Sequence, residues 1–209
     1  MKIDNLYPLT KYDEEKLVQL YLDAFKDYPK LQVAFPEEDK KKAALESTVR
    51  FYVAYDLHFG QAFSLDSAIG EAVCVVHSDD MAYNEESYSK AGCRSDRYKK
   101  AMAQLTPEEQ ARQRALFDEV DRLEDTLDFP YPHLYLDFLG VKTSAQHQGR
   151  GRKLMSRICD YATSKSLPLM LFTNTSDDVK FYESLGFNVV AITESSEFGF
   201  VNTYLVKGA

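Results

Sequence analysis

The chain has 209 residues and a formal net charge of −8, with 25 Lys and Arg residues against 33 Asp and Glu residues. This acidity argues against nucleic acids and anionic membrane surfaces as partners, because both are bound through basic surfaces. The hydrophobic fraction of 44% is typical of a folded globular protein, and no apolar run approaches the roughly 18 residues that a membrane span needs.

The cysteines and the first residues of the chain bear on its compartment. Cys74, Cys93 and Cys159 lie far apart and form no C-x-x-C pair. Neither a disulfide framework nor a structural zinc site is expected, and we predict no metal. The first ten residues lack the apolar segment of a signal peptide, so the sequence predicts a cytoplasmic protein.

The first part of the chain is predicted to form two helices followed by a hairpin. An apolar stripe at helical spacing predicts a helix over residues 13–26, and a second helix is expected to begin at Pro36. Residues 61–65 and 69–76 have the composition of strands, and the turn residues Asp66–Gly70 between them predict a hairpin.

Residues 77–130 are polar and in part helical. Thr106 suits the N-cap of a helix, Pro107 its first position and Glu109 its third. The helix that begins there is predicted to run to about Leu127. This segment is interpreted as an enlarged helical connection between the hairpin and the C-terminal half.

Strands and helices alternate from Leu134 onward. The predicted order is strand 134–141, helix 149–165, strand 167–172, helix 177–185, strand 187–192 and strand 198–206. Ser176 is expected to cap the second of these helices, and the last two strands are expected to form a hairpin. The sequence therefore predicts one domain over residues 1–209, with an α/β (α+β) fold and a mixed sheet flanked by helices.

The segment from Lys142 to Arg157 carries five basic residues and no acidic one, a local exception in an acidic chain. Gly149 and Gly151 allow a tight turn with free backbone amides, and the predicted helix N-terminus adds partial positive charge, which suits a pyrophosphate. A Rossmann loop is excluded because Leu154 stands where the third glycine belongs, and no P-loop motif is present. The alternative is a flexible connection with solvated arginines.

Two motifs in this half resemble the GCN5-related N-acetyltransferase (GNAT) superfamily. Gln146-x-x-Gly149-x-Gly151 is similar to its acetyl-CoA signature [RQ]-x-x-G-x-[GA], and FYESLGF at residues 181–187 is similar to the FYE-x-x-GF segment that follows it. The similarity is closest over residues 133–206. It implies a GNAT-like sheet whose central strands splay apart around acetyl-CoA, the co-substrate.

The resemblance also implies which residues hold acetyl-CoA. Backbone groups near Leu139 and Val141 would meet the pantetheine arm and the thioester carbonyl. The amides from Gln148 to Gly151 would hold the pyrophosphate. Three basic side chains are candidates for a further phosphate contact: Arg150, Arg152 and Lys153.

Asn174 follows the strand 167–172 and has two interpretations. Its side chain could bind the pantetheine amide, or it could cap the helix that follows. Thr175 and Asp178 have the spacing of a capping box, which favours the local structural role.

The implied reaction needs a proton acceptor for the amine and a proton donor for the departing thiolate. Tyr182 matches the tyrosine that often donates this proton in the family; the alternative is a core aromatic residue. Tyr135 and Asp137 match positions at which some members carry the base, and alternation places both on one face of their strand. Asp137 would act through a water or attract a cationic amine, unless it makes only a structural hydrogen bond.

Other nucleophiles and bases are assigned smaller roles. His133 is a further candidate base, whereas His58, His77 and His147 are expected on the surface or in loops. Cys159 is expected in the core, so the sequence predicts direct transfer in a ternary complex and no acyl-cysteine intermediate.

The sequence thus predicts an acyl-CoA-dependent N-acetyltransferase that acetylates a primary amine of a small molecule or peptide. The alternatives are a non-catalytic acyl-CoA-binding sensor or scaffold on the same fold, and a different nucleotide-binding enzyme. The acceptor would meet residues 26–60 and 77–132. The acidic stretch 118–128 fits either a cationic amine or a solvated helix face, and a homodimer through the C-terminal strands is a further prediction.

Overall fold

A computed structural model describes residues 1–32, 38–65, 71–78 and 84–208. Its helices are α1 (Glu14–Phe25), α2 (Pro29–Gln32), α3 (Glu38–His58), α4 (Glu85–Ala91), α5 (Asp96–Met102), α6 (Pro107–Glu124), α7 (Arg150–Ser164) and α8 (Ser176–Glu183). Its strands are β1 (Tyr7–Pro8), β2 (Ala62–Ser64), β3 (Ala72–Ser78), β4 (Leu134–Val141), β5 (Leu169–Thr173), β6 (Asn188–Glu194) and β7 (Val201–Lys207). The predicted turn Asp66–Gly70 and the predicted helix start at Pro36 lie outside the described residues.

The described strands form one sheet in the order β1-β2-β3-β4-β5-β7-β6. β4 and β5 pair in parallel, whereas the other neighbouring pairs are antiparallel. The predicted mixed α/β fold, with antiparallel strands at its start and end, is confirmed. β7 lies between β5 and β6, although it is the last of the three in the sequence.

β4 and β5 diverge soon after they begin. In the described chain, their pairing joins only Leu134 to Leu169 and Tyr135 to Met170, although β4 continues to Val141. Each strand therefore has unpaired backbone groups facing its neighbour over its second half. This divergence is the splayed sheet that the sequence predicts.

A bulge in β4 places an extra residue, Asp137, at the point of divergence. Leu136 pairs with Val76 of β3 and Phe138 pairs with Val75, so Asp137 is the residue left over in this register. A bulge bends its strand and re-aims a side chain relative to the regular pleat. Asp137 is exposed although both its neighbours in β4 are buried.

Helices cover both faces of the sheet. Apolar residues of α7, such as Leu154 and Ile158, pack on one face, and those of α1 and α3, such as Leu17 and Val53, pack on the other. A third apolar cluster, centred on Leu116, fixes α6 beside α3. None of the described helices combines the length and the hydrophobicity that a bilayer span requires.

Two helix ends differ from their predictions. α6 has the predicted capping box at Thr106 but ends at Glu124 rather than Leu127. α8 is capped by Thr175, whose Oγ1 accepts the Asp178 N–H at 3.2 Å, and not by Ser176. Adjacent hydroxyl residues are nearly equivalent as N-caps, so the sequence alone does not rank them.

Gly140 in β4 lies against the core, and its replacement tests the packing at the divergence. A Cβ atom at this position would lie 2.7 Å from Leu20 Cδ2 and closer still to the ring of Phe138. That ring is buried and stacks on Tyr21 with a centroid distance of 3.5 Å. We expect Gly140→Ala to lower the free energy of unfolding by about 1–3 kcal/mol through overpacking.

Urea unfolding measures this effect, with Gly151→Ala as the control. A Cβ atom at Gly151 would meet nothing closer than 3.5 Å in the described residues. Alanine also favours a helix over glycine there. Equal unfolding free energies for wild type and Gly140→Ala would contradict the packing described here.

Candidate active site

A cleft of about 1120 Å³ opens where β4 and β5 diverge. The N-terminal parts of α7 and α8 line one end of it, and α3, α4 and α6 line the other. Its volume exceeds the roughly 300–1,000 Å³ of a typical site for one small ligand. Asp137, the residue left over at the bulge in β4, is among the described residues that line it.

The N-terminus of α7 forms the anion-binding end of the cleft. Gly149 is the N-cap residue with φ +75°, and no side chain within the described residues caps the helix. The first amides of an uncapped helix keep their donor capacity, and the helix dipole favours negative charge there. Gly149 and Gly151 both line the cleft, and this arrangement fits the pyrophosphate of acetyl-CoA.

The basic residues of this segment have different positions. Arg150 forms an ion pair with Glu71, and Arg152 donates from Nη2 to Ser184 Oγ at 2.8 Å. Both arginines line the cleft, whereas Lys153 is exposed and is not among the described lining residues. Arg150 and Arg152 are thus the better placed of the three predicted phosphate contacts.

The remaining predicted acetyl-CoA residues surround the same end. Leu139, Val141 and Gln146 line the cleft, and Gln146 Nε2 donates to the Val141 carbonyl at 3.2 Å. Gln148 Nε2 donates to the Ser144 carbonyl at 3.0 Å and turns its side chain to the loop, outside the described lining. Any contact of Gln148 with a phosphate would therefore use its backbone amide.

Asn174 does not cap α8, so that interpretation is wrong. Its Nδ2 donates to the Val201 carbonyl and to Asn202 Oδ1, each at 2.6 Å, and thereby ties the end of β5 to β7. Thr175 caps the helix in its place. The Oδ1 atom of Asn174 has no hydrogen-bond partner within the described residues, and its contact with pantetheine stays a prediction.

Tyr182, the predicted proton donor, lies on α8. Its side chain is 8% exposed, lines the cleft and packs against the rings of Phe181 and Phe187. Its hydroxyl makes no hydrogen bond within the described part of the chain. Burial raises the pKa of Tyr182, so the phenol keeps its proton at neutral pH.

Tyr135 and Asp137 both line the cleft from β4. Burial and the charges of Glu124 and Asp137 raise the pKa of Tyr135 well above its ordinary value of 10.0. Tyr135 therefore holds its proton at neutral pH. Asp137 is the exposed acidic residue of the same strand. The role of either residue as the base stays a prediction.

His77 is buried in β3, so its predicted place on the surface or in a loop is wrong. It is 3% exposed, and its Nε2 lies 3.0 Å from Asp56 Oδ1, while Tyr21 donates its hydroxyl to Asp56 Oδ2 at 3.2 Å. Burial lowers the pKa of His77, but the hydrogen bond to Asp56 and the charge of Asp137 outweigh this and raise it. The hydrogen bond to Asp56 thus favours the protonated form of His77 beside Asp137.

Asp56, His77 and Asp137 form a compact group at the bulge. One ligating atom from each lies within 4.8 Å of the others, a spacing that a metal ion could bridge. Both oxygens of Asp56 already accept hydrogen bonds, from His77 and Tyr21. This bonding favours a structural and electrostatic role for the pair beneath Asp137.

The far end of the cleft has an acidic wall. Asp121, Glu124 and Asp125 line it from the last turn of α6. Burial raises the pKa of Glu124 to about 7, and the neighbouring carboxylates of Asp121, Asp137 and Asp125 add to the rise. The sequence shows this acidity, but helical periodicity alone does not indicate that these side chains face a cleft.

Lys30 lies across from the acidic wall. It is 9% exposed and lines the cleft, with its ammonium 4.6 Å from the centre of the Phe172 ring. Burial lowers the pKa of Lys30 to about 8, although the charges of Asp137, Glu124 and Asp121 raise it. Within the described residues it makes no hydrogen bond or ion pair.

Ionisation of Glu124 is expected to lower the free energy of unfolding as the pH rises. Its pKa is raised from 4.5 to about 7, so the folded state loses stability as the pH rises between these values, with an upper limit of about 3 kcal/mol. We expect Glu124→Gln to unfold at a higher temperature than wild type at pH 8, and the difference to be much smaller at pH 5.

Thermal unfolding at both pH values measures this difference. Asp118→Asn removes a carboxylate from the same helix outside the described lining and serves as the control. A lower unfolding temperature for Glu124→Gln at pH 8 would show that this carboxylate stabilises the fold instead.

Comparison with protein families agrees with this geometry. Residues 102–189 match the family model described as the acetyltransferase (GNAT) domain. A search of curated proteins finds no significant match. The match spans α6 to the start of β6 and includes Gly149, Gly151 and Tyr182, which confirms the resemblance that the two motifs indicate.

Several solved structures share the fold over nearly the whole chain. One is the histone acetyltransferase HPA2 and related acetyltransferase from Corynebacterium glutamicum, with TM-score 0.62 and 16% identity, covering 97% of this chain and 94% of that one. Another is the Drosophila melanogaster polyamine N-acetyltransferase, which forms N-acetylagmatine, with TM-score 0.53, 15% identity and coverage of 97% and 98%. The Escherichia coli ribosomal-protein-S18-alanine N-acetyltransferase has TM-score 0.51, 14% identity and coverage of 96% and 90%. At these identities the likeness establishes the fold.

Proposed function

We propose that this chain, whose residues 102–189 match the GNAT acetyltransferase domain, transfers an acetyl group from acetyl-CoA to a primary amine. One observation supports this above all others. The divergence of β4 from β5, the uncapped N-terminus of α7, Asp137 and Tyr182 all border one cleft. Under this proposal an anion cradle (the first turn of α7 with Gly149 and Gly151), a proton acceptor and a proton donor surround a single space.

Acetyl-CoA supplies the activated acyl group as a thioester. The amides of the first turn of α7 hold its pyrophosphate, with Arg150 or Arg152 assisting, and the unpaired second half of β4 receives the pantetheine arm through Leu139 and Val141. A backbone N–H of this strand is suited to stabilise the developing oxyanion. These backbone donors are available because β5 has already diverged.

Proton transfer is assigned to two side chains. Asp137 takes a proton from the ammonium group of the acceptor, directly or through a water, and the neutral amine then attacks the thioester. The hydrogen-bonded His77–Asp56 pair lies next to Asp137. Tyr182 donates a proton to the thiolate as it leaves. Transfer is direct, since no cysteine is among the described residues that line the cleft.

Two measurements test the proposal. Release of the CoA thiol is followed with a broad panel of amines, and calorimetry compares acetyl-CoA, CoA, ATP and NAD. We expect amine-dependent thiol release and tight binding of acetyl-CoA and CoA. Binding without release would identify an acyl-CoA sensor or scaffold, and tighter binding of ATP than of CoA would identify a different nucleotide-binding enzyme.

A further inference from the structure

The end of the cleft that faces away from the cradle has an excess of negative charge. Among the described residues, the carboxylates of Asp121, Glu124, Asp125 and Asp137 border it, together with the ammonium of Lys30 and the imidazole of His77. Within the described residues, none of the four has an ion pair or a side-chain hydrogen bond. Burial is the main cause of the raised pKa of Glu124; Lys30 lowers this pKa, and the charges of Asp121, Asp137 and Asp125 raise it further.

The helix that carries three of these residues adds to the effect. Asp121, Glu124 and Asp125 occupy the last turn and the C-cap of α6, where the helix dipole already places partial negative charge. Carboxylates are unfavourable at a helix C-terminus, whereas a cation bound there is stabilised. These carboxylates therefore destabilise α6 in the unliganded protein and favour the binding of a cation.

Lys30 is a second and independent indication of a ligand. The residue is 9% exposed and lines the cleft, yet its ammonium has no hydrogen-bond or ionic partner among the described residues. The charges of Asp137, Glu124 and Asp121 reach it without any of them forming an ion pair with it. The cleft therefore separates Lys30 from the carboxylates, and a ligand in that space is exposed to both.

The walls between these charges are apolar and aromatic. The rings that line this part of the cleft are Tyr52, Tyr88, Phe117, Phe129 and Phe172. Such walls suit a methylene chain, and their faces attract an ammonium group. Together with the acidic wall, they favour a flexible chain with a positive charge at each end.

We propose that the acceptor is an amine with a second positive charge, whose distal ammonium is bound by Asp121, Glu124 and Asp125 while its reacting nitrogen lies beside Asp137. This inference rests on the proposed acetyl transfer and specifies its substrate class. The acidic wall is a specificity determinant of the acceptor and takes no part in the chemical step.

A matched set of amines tests it on the full chain. In 1-aminopentane a methyl group replaces the distal ammonium of 1,4-diaminobutane, and in 5-aminopentanoate a carboxylate replaces it. We expect kcat/KM for the diamine to exceed that for 1-aminopentane by about tenfold or more, as for a charge-assisted hydrogen bond. The same comparison extends to diamines with three to six carbons, since the best chain length depends on the span of the cleft.

Variants of the cleft residues test which side chain causes the preference for the diamine. Glu124→Gln is expected to lower kcat/KM for 1,4-diaminobutane by about tenfold and that for 1-aminopentane by less than about twofold. Glu108→Gln, in the first turn of the same helix and outside the described lining, should leave both unchanged. Lys30→Met removes the opposing charge and should increase the preference for the diamine.

Three results would overturn the inference. They are equal kcat/KM values for the diamine and 1-aminopentane, an equal effect of Glu124→Gln on both, and a preference for 5-aminopentanoate, which would assign recognition to Lys30. If no amine releases CoA, the proposed function fails separately. Calorimetry of 1,4-diaminobutane binding still tests the acidic wall in that case. Binding that Glu124→Gln weakens supports the wall as a dication site, and absence of binding to the wild type overturns it.

Discussion

Replacing Tyr182 with phenylalanine is expected to lower kcat about a hundredfold, the smaller end of the range for loss of a general acid. The ring and its contacts with Phe181 and Phe187 remain, so the fold and the affinity for acetyl-CoA should change little. What is lost is a hydroxyl that burial keeps protonated at neutral pH. Without it, the thiolate leaves unprotonated.

Steady-state kinetics and calorimetry separate the two effects. Tyr161→Phe, on α7 outside the described lining of the cleft, removes a phenolic hydroxyl elsewhere and should leave kcat unchanged. If Tyr182→Phe turns over like wild type, the phenol is a packing residue and the proton has another source. A loss of acetyl-CoA affinity equal to the loss in kcat/KM would instead assign Tyr182 to binding.

Gly149→Val is expected to weaken acetyl-CoA binding by about tenfold or more. Gly149 has φ +75°, a conformation that costs a β-branched residue roughly 1–3 kcal/mol. A Cβ atom at this position meets no atom of the described residues within 4 Å, so the cost is backbone strain and not crowding by the protein. Relief of that strain would turn the first amides of α7 away from the pyrophosphate.

Gly149→Asn is the matched variant, because asparagine adopts the left-handed conformation with little penalty. Calorimetry should give it an affinity between those of wild type and Gly149→Val. Loss of binding in both variants would mean that any side chain here meets the phosphates. Wild-type affinity for Gly149→Val would place the phosphates elsewhere.

Local patterns predict those parts of the fold that local interactions determine. The sequence LYLDFLGV predicts the bounds of β4 to the residue, but it does not predict the bulge at Asp137, which interrupts the regular pairing with β3. The capping box at Thr106 likewise predicts the start of α6. The cradle follows from Gly149 and Gly151 together with the basic residues around them.

Long-range contacts explain what the sequence does not predict. His77 has no local feature that marks it as buried, since its partner Asp56 lies on α3 and is 21 residues away. Glu124 reads equally well as a solvated residue, and only the packing of α6 beside α3 turns it to the cleft. Asn174 is misread because its true partners, on β7, are 27 and 28 residues distant.

The central position of β7 has a consequence for synthesis. β6 leaves the ribosome before β7, yet all of its described backbone pairing is with β7. The sheet therefore cannot be completed beyond β5 until residues 201–207 have emerged. During that interval the backbone of β6 lacks its described partner, and an unpaired strand edge is prone to pair with another chain.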